Sequence, residues 1–268
     1  MLNVPIQCFS CERLNVEIYG SREEAGSAAA AAVAKELTRL GRVQESIGVI
    51  FATGASQLTM LRALTAIAGL PWHRVLGFHM DEYVGISSDH RASFRRYLRT
   101  ELTDRVKLQE FHEINGNALP PERECHEYAE ALRLAAPQIC LLGIGENGHL
   151  AFNDPGVAEF HDPLDVKIVD LDNDCKQQQV AEGWFGSIEE VPAQALTLTI
   201  PTLLRVPKLI VSVPGSRKAS IVREALTAEI STKCPATILR THPDATVYLD
   251  AESAAELDSD ELLELSGK

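Results

Sequence analysis

Short, uninterrupted apolar runs separated by helix-like segments are what most restrict the fold of this chain. Residues 47–53 (IGVIFAT), 75–80 (VLGFHM), 139–145 (ICLLGIG) and 208–213 (KLIVSV) lack the apolar–polar alternation of a strand with one wet face. Continuous runs of this length belong to strands buried on both faces, as in a parallel sheet. Helix-like segments lie between them. Ser21-Arg-Glu-Glu24 has the S-x-x-E form of a capping box and opens an alanine-rich run to Leu40. Residues 56–69, 93–102, 122–136 and 216–226 read as further helices, and 14–19, 166–171, 195–200 and 246–249 as further strands. The alternation predicts an α/β fold: a mostly parallel, Rossmann-like sheet with helices on both faces. No Pro/Gly/Ser linker or repeat divides the chain, so residues 1–268 read as one domain, with 258–268 an acidic tail that is frayed or a short exposed helix.

Composition narrows the partners. A formal net charge of -13 argues against nucleic acid, whose phosphates need a basic face. It leaves open a small anion held in a local pocket. The longest apolar runs fall short of the roughly 18 residues of a membrane span, and the first residues, MLNVPIQCFSCERL, lack the basic end and apolar stretch of a signal peptide. A cytoplasmic protein with no membrane partner is expected. The cysteines, at 8, 11, 125, 140, 175 and 234, read as reduced thiols. Cys8 and Cys11 form a CxxC without the second ligand pair a zinc site needs. It is placed ahead of the first strand, not after a strand and before a helix as in a redox motif.

Ligands of open α/β sheets collect beyond the carboxyl ends of the strands. Four stretches follow predicted strands there. Thr53-Gly54-Ala55-Ser56 is a glycine turn with hydroxyls at a helix start, able to offer backbone N–H groups to an anion or simply to cap the helix through Ser56. Pro214-Gly-Ser-Arg-Lys218 repeats that geometry and brings Lys218 into the first turn, where the helix dipole disfavours a cation unless an anion sits there too. Asp81 and Glu82 end the strand VLGFHM; a carboxylate in a partly apolar cleft has a raised pKa and suits a base, although solvated turn residues are the commoner origin of such a pair. In the fourth, glycines at 143, 145 and 148 permit a tight bend and a close approach. His149 follows, flanked by Asn147 and Asp154, and a neighbouring carboxylate orients an imidazole and holds its proton near neutral pH.

The motif Gly143-Ile-Gly-x-x-Gly-His149-x-Ala-Phe-Asn-x-Pro155, preceded by Met80-Asp-Glu-Tyr83, resembles the glucosamine-6-phosphate deaminase (isomerase) family. Asp89-His90-x-x-Ser93-Phe94, Ala195-Leu-Thr-Leu-Thr199, Pro214-Gly-Ser-Arg-Lys-Ala219 and Pro235-Ala-Thr-Ile-Leu-Arg-Thr-His-Pro243 continue the resemblance, which runs from about residue 14 to about residue 250. The superfamily also holds the 6-phosphogluconolactonases, which share the Gly-x-Gly-x-x-Gly-His element. The resemblance implies conversion of glucosamine 6-phosphate and water to fructose 6-phosphate and ammonia. Asp81 would move a proton between C2 and C1, His149 would open the pyranose ring, and Asp154, one methylene shorter than the family's usual Glu, would orient His149 with Asn147. Thr53, Gly54, Ala55, Ser56 and Lys218 would hold the sugar phosphate, with Glu82 and Gly148 also at the substrate. No metal or organic cofactor is implied. Family members occur as monomers and hexamers, so a homo-oligomer is compatible with the resemblance.

The chain departs from the family pattern in two places. Asn147 replaces the usual Asp and carries no charge. Trp184 stands where the family places an Arg that contacts phosphate, so phosphate is held more weakly, another cation such as Arg217 or Arg240 takes that part, or the substrate differs. The segment after Pro155, GVAEFHDPLD, lacks the Ser- and Arg-containing stretch of allosterically regulated members, so no amino-sugar allostery is expected. Two other readings share the residues: a lactone hydrolase in which His149 activates water, and a sugar-phosphate-binding regulatory protein that has lost the chemistry. The survival of Asp81, His149 and Asp154 together favours the deaminase.

Overall fold

The computed structural model describes residues 4–181 and 183–258. The chain opens with an antiparallel pair, β1 (Gln7–Cys11) and β2 (Leu14–Tyr19). Ser21 then caps α1 (Arg22–Leu40): its Oγ accepts from the Glu24 N–H at 3.2 Å, and the Glu24 carboxylate accepts from the Gly20 N–H at 3.0 Å. This is the expected capping box, with the return bond displaced by one residue. β3 (Ile47–Phe51) leads to α2 (Leu58–Ala66), and β4 (Val75–His79) runs almost directly into β5 (Asp81–Tyr83). Next come α3 (Phe94–Leu98), β6 (Glu110–His112), α4 (Pro121–Ala135) and β7 (Ile139–Leu142). β8 (Val166–Asp170), α5 (Asn173–Ala181), β9 (Gln194–Leu198), α6 (Ile200–Leu204), β10 (Lys208–Val213), α7 (Ala219–Thr227) and β11 (Ala245–Asp250) complete the described chain.

The main sheet has eight strands in the order β1-β2-β11-β10-β7-β3-β4-β6, parallel throughout except for the β1–β2 edge pair. β3 and β7 are neighbours, but the chain leaves β3 toward β4 on one side and β7 toward β10 on the other. Their carboxyl ends therefore diverge at a switch point, where open α/β sheets leave a crevice.

Both faces of the sheet are buried, as the continuous apolar runs require. Ile47, Val49 and Phe51 of β3 and Ile139 and Leu141 of β7 pack with Val33 and Leu37 of α1 and Met60, Leu61 and Leu64 of α2. The alternate residues Ile50, Cys140 and Leu142 face the opposite layer, with Tyr128 and Leu132 of α4 and Ile221 and Val222 of α7. This period-2 division between two covered faces makes register strict: a one-residue slip would exchange the two layers.

Several expectations are corrected. The strands expected at 166–171 and 195–200 do not join the main sheet. They are β8 and β9, which with β5 make a separate antiparallel sheet, β5-β9-β8. Local apolar content signals a strand but not its partner. Cys8 and Cys11 do not precede the first strand; they lie within β1, and at a spacing of three they point to opposite faces, one exposed and one buried. The helix expected over 93–102 narrows to α3 and continues as a wider turn, Arg99–Thr103. Those expected from Ser56 and Ser216 each begin with a tighter turn, Ala55–Gln57 and Ser216–Lys218. Beyond Asp258 the acidic tail lies outside the described residues.

Candidate active site

The loops after β3, β4, β7 and β10 line one cleft of about 250 Å³ at the switch point. All four stretches singled out in the sequence reach it. Thr53, Gly54, Ala55 and Ser56 come from the first, Asp81 from the second, Gly143, Gly145 and His149 from the third, and Lys218 from the fourth.

The first and last loops are built alike. Gly54 has φ +95° and Gly215 φ +97°, a conformation that side-chain-bearing residues rarely adopt. Each starts a tight turn leading into a helix, α2 or α7, so backbone N–H groups face the cleft from two sides. The fully buried Gln57 ties the loops together: its Nε2 donates to the Ser212 carbonyl at 3.3 Å and the Leu142 carbonyl at 3.4 Å. The Tyr97 hydroxyl donates to the Gly54 carbonyl at 2.9 Å. Gln57 and Tyr97 hold the site from behind, and no motif marked them.

Asp81 sits at the junction of β4 and β5. Its backbone belongs to the β5–β9 ladder opposite Thr197, which aims the carboxyl into the cleft. Asp81 is 7% exposed, and its Oδ1 is buried without a hydrogen-bond partner among the described residues. Burial, with the adjacent charge of Glu82, pushes its pKa well above the usual carboxylate range.

The third loop turns back so sharply that a Cβ on Gly145 would fall 2.2 Å from the His149 ring. The imidazole lies in that space. Its Nδ1 is 2.8 Å from Asn147 Oδ1 and 3.0 Å from Asp154 Oδ1. The Asn147 oxygen also accepts the His149 backbone N–H at 3.1 Å, while the Asn147 amide donates to Asp154 Oδ1 at 2.8 Å. Nδ1 thus meets two acceptors and carries the proton, which leaves the Nε2 lone pair for the cleft. Asp154 is 3% exposed. Burial alone would raise its pKa, but bonds from His149, Asn147 and the Cys175 thiol together hold it below the usual carboxylate range. Asn153 fastens the loop to the second sheet, donating to the Leu150 and Leu198 carbonyls, each at 2.8 Å.

Asn147 and Asp154 stand behind His149 and do not line the cleft. Glu82, expected at the substrate, is corrected outright. It is fully buried and points away, accepting from Ser93 Oγ at 2.7 Å, the Phe94 and Arg95 N–H groups at 3.2 and 3.1 Å, and Arg95 Nε at 3.0 Å. In an alternating strand, Asp81 facing the cleft obliges Glu82 to face the other side, where it caps α3 and pairs with Arg95. Removing one partner of a buried ion pair leaves an uncompensated charge, so Glu82→Ala is expected to cost about 3–5 kcal/mol of stability. Urea unfolding checks this, and a loss under about 1 kcal/mol would show that water replaces the carboxylate. Gly148 is corrected as well: with φ +85° it packs on Cys234, whose Sγ lies 2.8 Å from where a Cβ would be, and it does not line the cleft. Of the cations weighed against Trp184, Arg217 lines the cleft, while Arg240 is buried elsewhere and donates to the Leu226 carbonyl at 3.1 Å. Trp184 itself lines the cleft, its ring edge-on to Tyr97 at 6.4 Å. Arg22 lines it too and was missed, because it lies inside the capping box at the start of α1, far along the chain from the four strand-end stretches.

Fold and cleft together define an α/β protein that places a buried carboxyl and an imidazole beside two glycine turns at helix starts. The chain belongs to the family of glucosamine-6-phosphate isomerases and 6-phosphogluconolactonases, whose model matches residues 20–248. It is 34% identical over 220 residues to a glucosamine-6-phosphate deaminase of Exiguobacterium sibiricum, covering 82% of this chain and 84% of the relative. To a glucosamine-6-phosphate deaminase of Bacillus cereus it is 32% identical over 219 residues, covering 82% and 81%. A solved monomeric glucosamine-6-phosphate deaminase superposes with a TM-score of 0.82 at 30% identity, over 90% of this chain and 99% of that one. A 6-phosphogluconolactonase of Thermotoga maritima shares the fold, with a TM-score of 0.73 at 20% identity over 88% and 99%. Among the described residues no helix is long and apolar enough to cross a membrane.

Proposed function

We propose that this protein converts glucosamine 6-phosphate and water to fructose 6-phosphate and ammonia. The observation that carries the reading is one cleft holding both a buried carboxyl with an unpartnered oxygen, Asp81, and an imidazole whose Nδ1 is fixed from behind, His149. An aldose–ketose shift needs those two groups: one at the ring oxygen and one at C1/C2. His149 Nε2 exchanges a proton with the ring oxygen as the pyranose opens. Asp81, once ionised, takes the C2 proton and returns it to C1, turning the open-chain amino aldehyde into a ketose imine. Water adds to the C2 imine carbon and ammonia leaves, so atoms balance without a redox step. The turn at Thr53–Gly54–Ala55–Ser56 and Lys218 hold the phosphate at the helix starts. Reduced thiols, four of them buried, suit a reducing compartment, and we place the enzyme in the cytoplasm.

Asn147 fits this scheme as a positioning residue. Its amide donates to Asp154, so one carboxylate shorter than Glu can sit beside the imidazole without a second negative charge. In Asn147→Asp, a carboxylate oxygen would stand where the amide now lies 2.8 Å from Asp154 Oδ1. Two like charges so close hold a proton between them. The acidic limb of the kcat/KM profile is therefore expected to move up by about one pH unit or more, and an unchanged profile would take Asn147 out of the charge network.

The deciding experiment measures ammonia and fructose 6-phosphate from glucosamine 6-phosphate, with unphosphorylated glucosamine alongside. Stoichiometric release from the phosphate ester alone is the expected result. No release from either, with hydrolysis of a sugar-phosphate lactone, would overturn the reading in favour of the lactonase branch.

A further inference from the structure

Three cations line the cleft: Arg22, Arg217 and Lys218. Lys218 is largely buried in the turn before α7. Arg217 pairs with Glu146, its Nε 3.3 Å from Oε1. Arg22 differs from both. It is the exposed first residue of α1, and among the described residues no hydrogen bond or ion pair engages its guanidinium. Yet that side chain is not spread into solvent: Nη2 lies 2.6 Å from where a Cβ of Gly215 would be. Only a glycine lets it come so near the loop after β10. The nearby Asp250 carboxylate does not hold it there; its oxygens accept the Gly215 N–H at 3.0 and 3.1 Å and the Ser253 N–H at 2.8 Å.

Arg22 thus reaches the loop before α7 in a cleft that also holds Lys218, Glu252 and the helix starts of α2 and α7. The start of α1, its own helix, disfavours a positive charge. A guanidinium without a partner of its own beside helix starts is well placed to meet a dianion. Trp184, in the same cleft, brings one N–H and no charge. A guanidinium presents a planar fork that meets two phosphate oxygens at once.

We infer that Arg22 is a substrate-binding residue, and that its guanidinium, reaching over Gly215, grips the phosphate in place of the cation missing at position 184. The inference rests on the sugar-phosphate reading above.

The test compares wild type with Arg22→Ala and Arg22→Lys in two assays: steady-state kinetics on glucosamine 6-phosphate and calorimetric titration with inorganic phosphate. Arg22→Ala should raise KM and weaken phosphate binding, each by roughly 10- to 100-fold, the range of a charge-assisted contact, with kcat little changed. Arg22→Lys should fall between. Adding Trp184→Arg to Arg22→Ala should recover much of the lost affinity, which loss of fold would not permit. Wild-type KM and wild-type phosphate affinity in Arg22→Ala would overturn the inference and leave the deaminase reading intact. A wild type that binds phosphate through Arg22 but releases no ammonia would overturn the deaminase reading alone. A wild type with neither turnover nor phosphate binding would overturn both.

Discussion

Asp81→Asn is expected to lower kcat on glucosamine 6-phosphate by roughly 10²- to 10⁴-fold, the usual worth of a positioned general base, with KM nearly unchanged. The amide matches the carboxyl in shape and keeps the same backbone ladder to Thr197, so the site survives without its base. The same substitution should stabilise the protein at neutral and alkaline pH. Asp81 has a raised pKa in the folded state, through burial and the neighbouring Glu82. From the unfolded carboxylate value near pH 4 up to the folded value, the unfolded chain has lost a proton that the native protein still holds. Stability of the wild type therefore falls as pH rises through that window. The two proteins differ only at this carboxyl, so the difference in melting temperature reports on Asp81: Asp81→Asn should gain on wild type from about pH 4 upward. A variant with near wild-type kcat, or a stability difference that stays flat with pH, would remove Asp81 from the role of buried base. Across the same range kcat/KM of the wild type should rise with pH, since only the ionised carboxyl takes the C2 proton.

His149→Gln is expected to lower turnover on the cyclic substrate by roughly 10²- to 10⁴-fold as well, but through ring opening. Gln keeps a polar tip near Asn147 and Asp154 and provides no titratable nitrogen at the cleft. The two variants separate by isotope exchange. Asp81→Asn should stop loss of a C2 deuteron in every form of substrate, while His149→Gln should retain it on whatever open-chain sugar forms spontaneously. Loss of exchange to the same degree in both would place His149 at C2 and refute the division of labour. Near wild-type rates in His149→Gln would dismiss it from the reaction.

Much of this protein was legible without coordinates, for reasons local to the chain. Six of the eight main-sheet strands were expected from the sequence, β1 and β6 being missed, and four announce themselves as unbroken apolar runs such as IGVIFAT and ICLLGIG. A parallel sheet covered on both faces leaves no other pattern available. The loops that reach the cleft were legible because such sheets bind ligands at one edge, so the residues just after each strand were the ones to read. Ser21 and Glu24 show the same locality: their capping bonds span at most four residues.

What escaped the sequence depends on pairs distant along the chain. Residues 166–171 and 195–200 look like any other strands, and only their partner, the three-residue β5, takes them out of the main sheet. That pairing also decides which of two adjacent acids faces the cleft: Asp81 is aimed inward and Glu82 is turned onto Arg95, a distinction no DE dipeptide contains. Arg22 and Gly215 lie 193 residues apart in number and meet only because α1 packs beside the end of β10. The sequence by itself determined the layers, the strand ends and the kinds of side chain offered there, since those follow from periodicity and local bonding. The tertiary structure alone decided which acid faces the cleft, which cation there has no partner among the described residues and which side chains stand behind the imidazole, because burial and charge are set by neighbours the chain brings from far away.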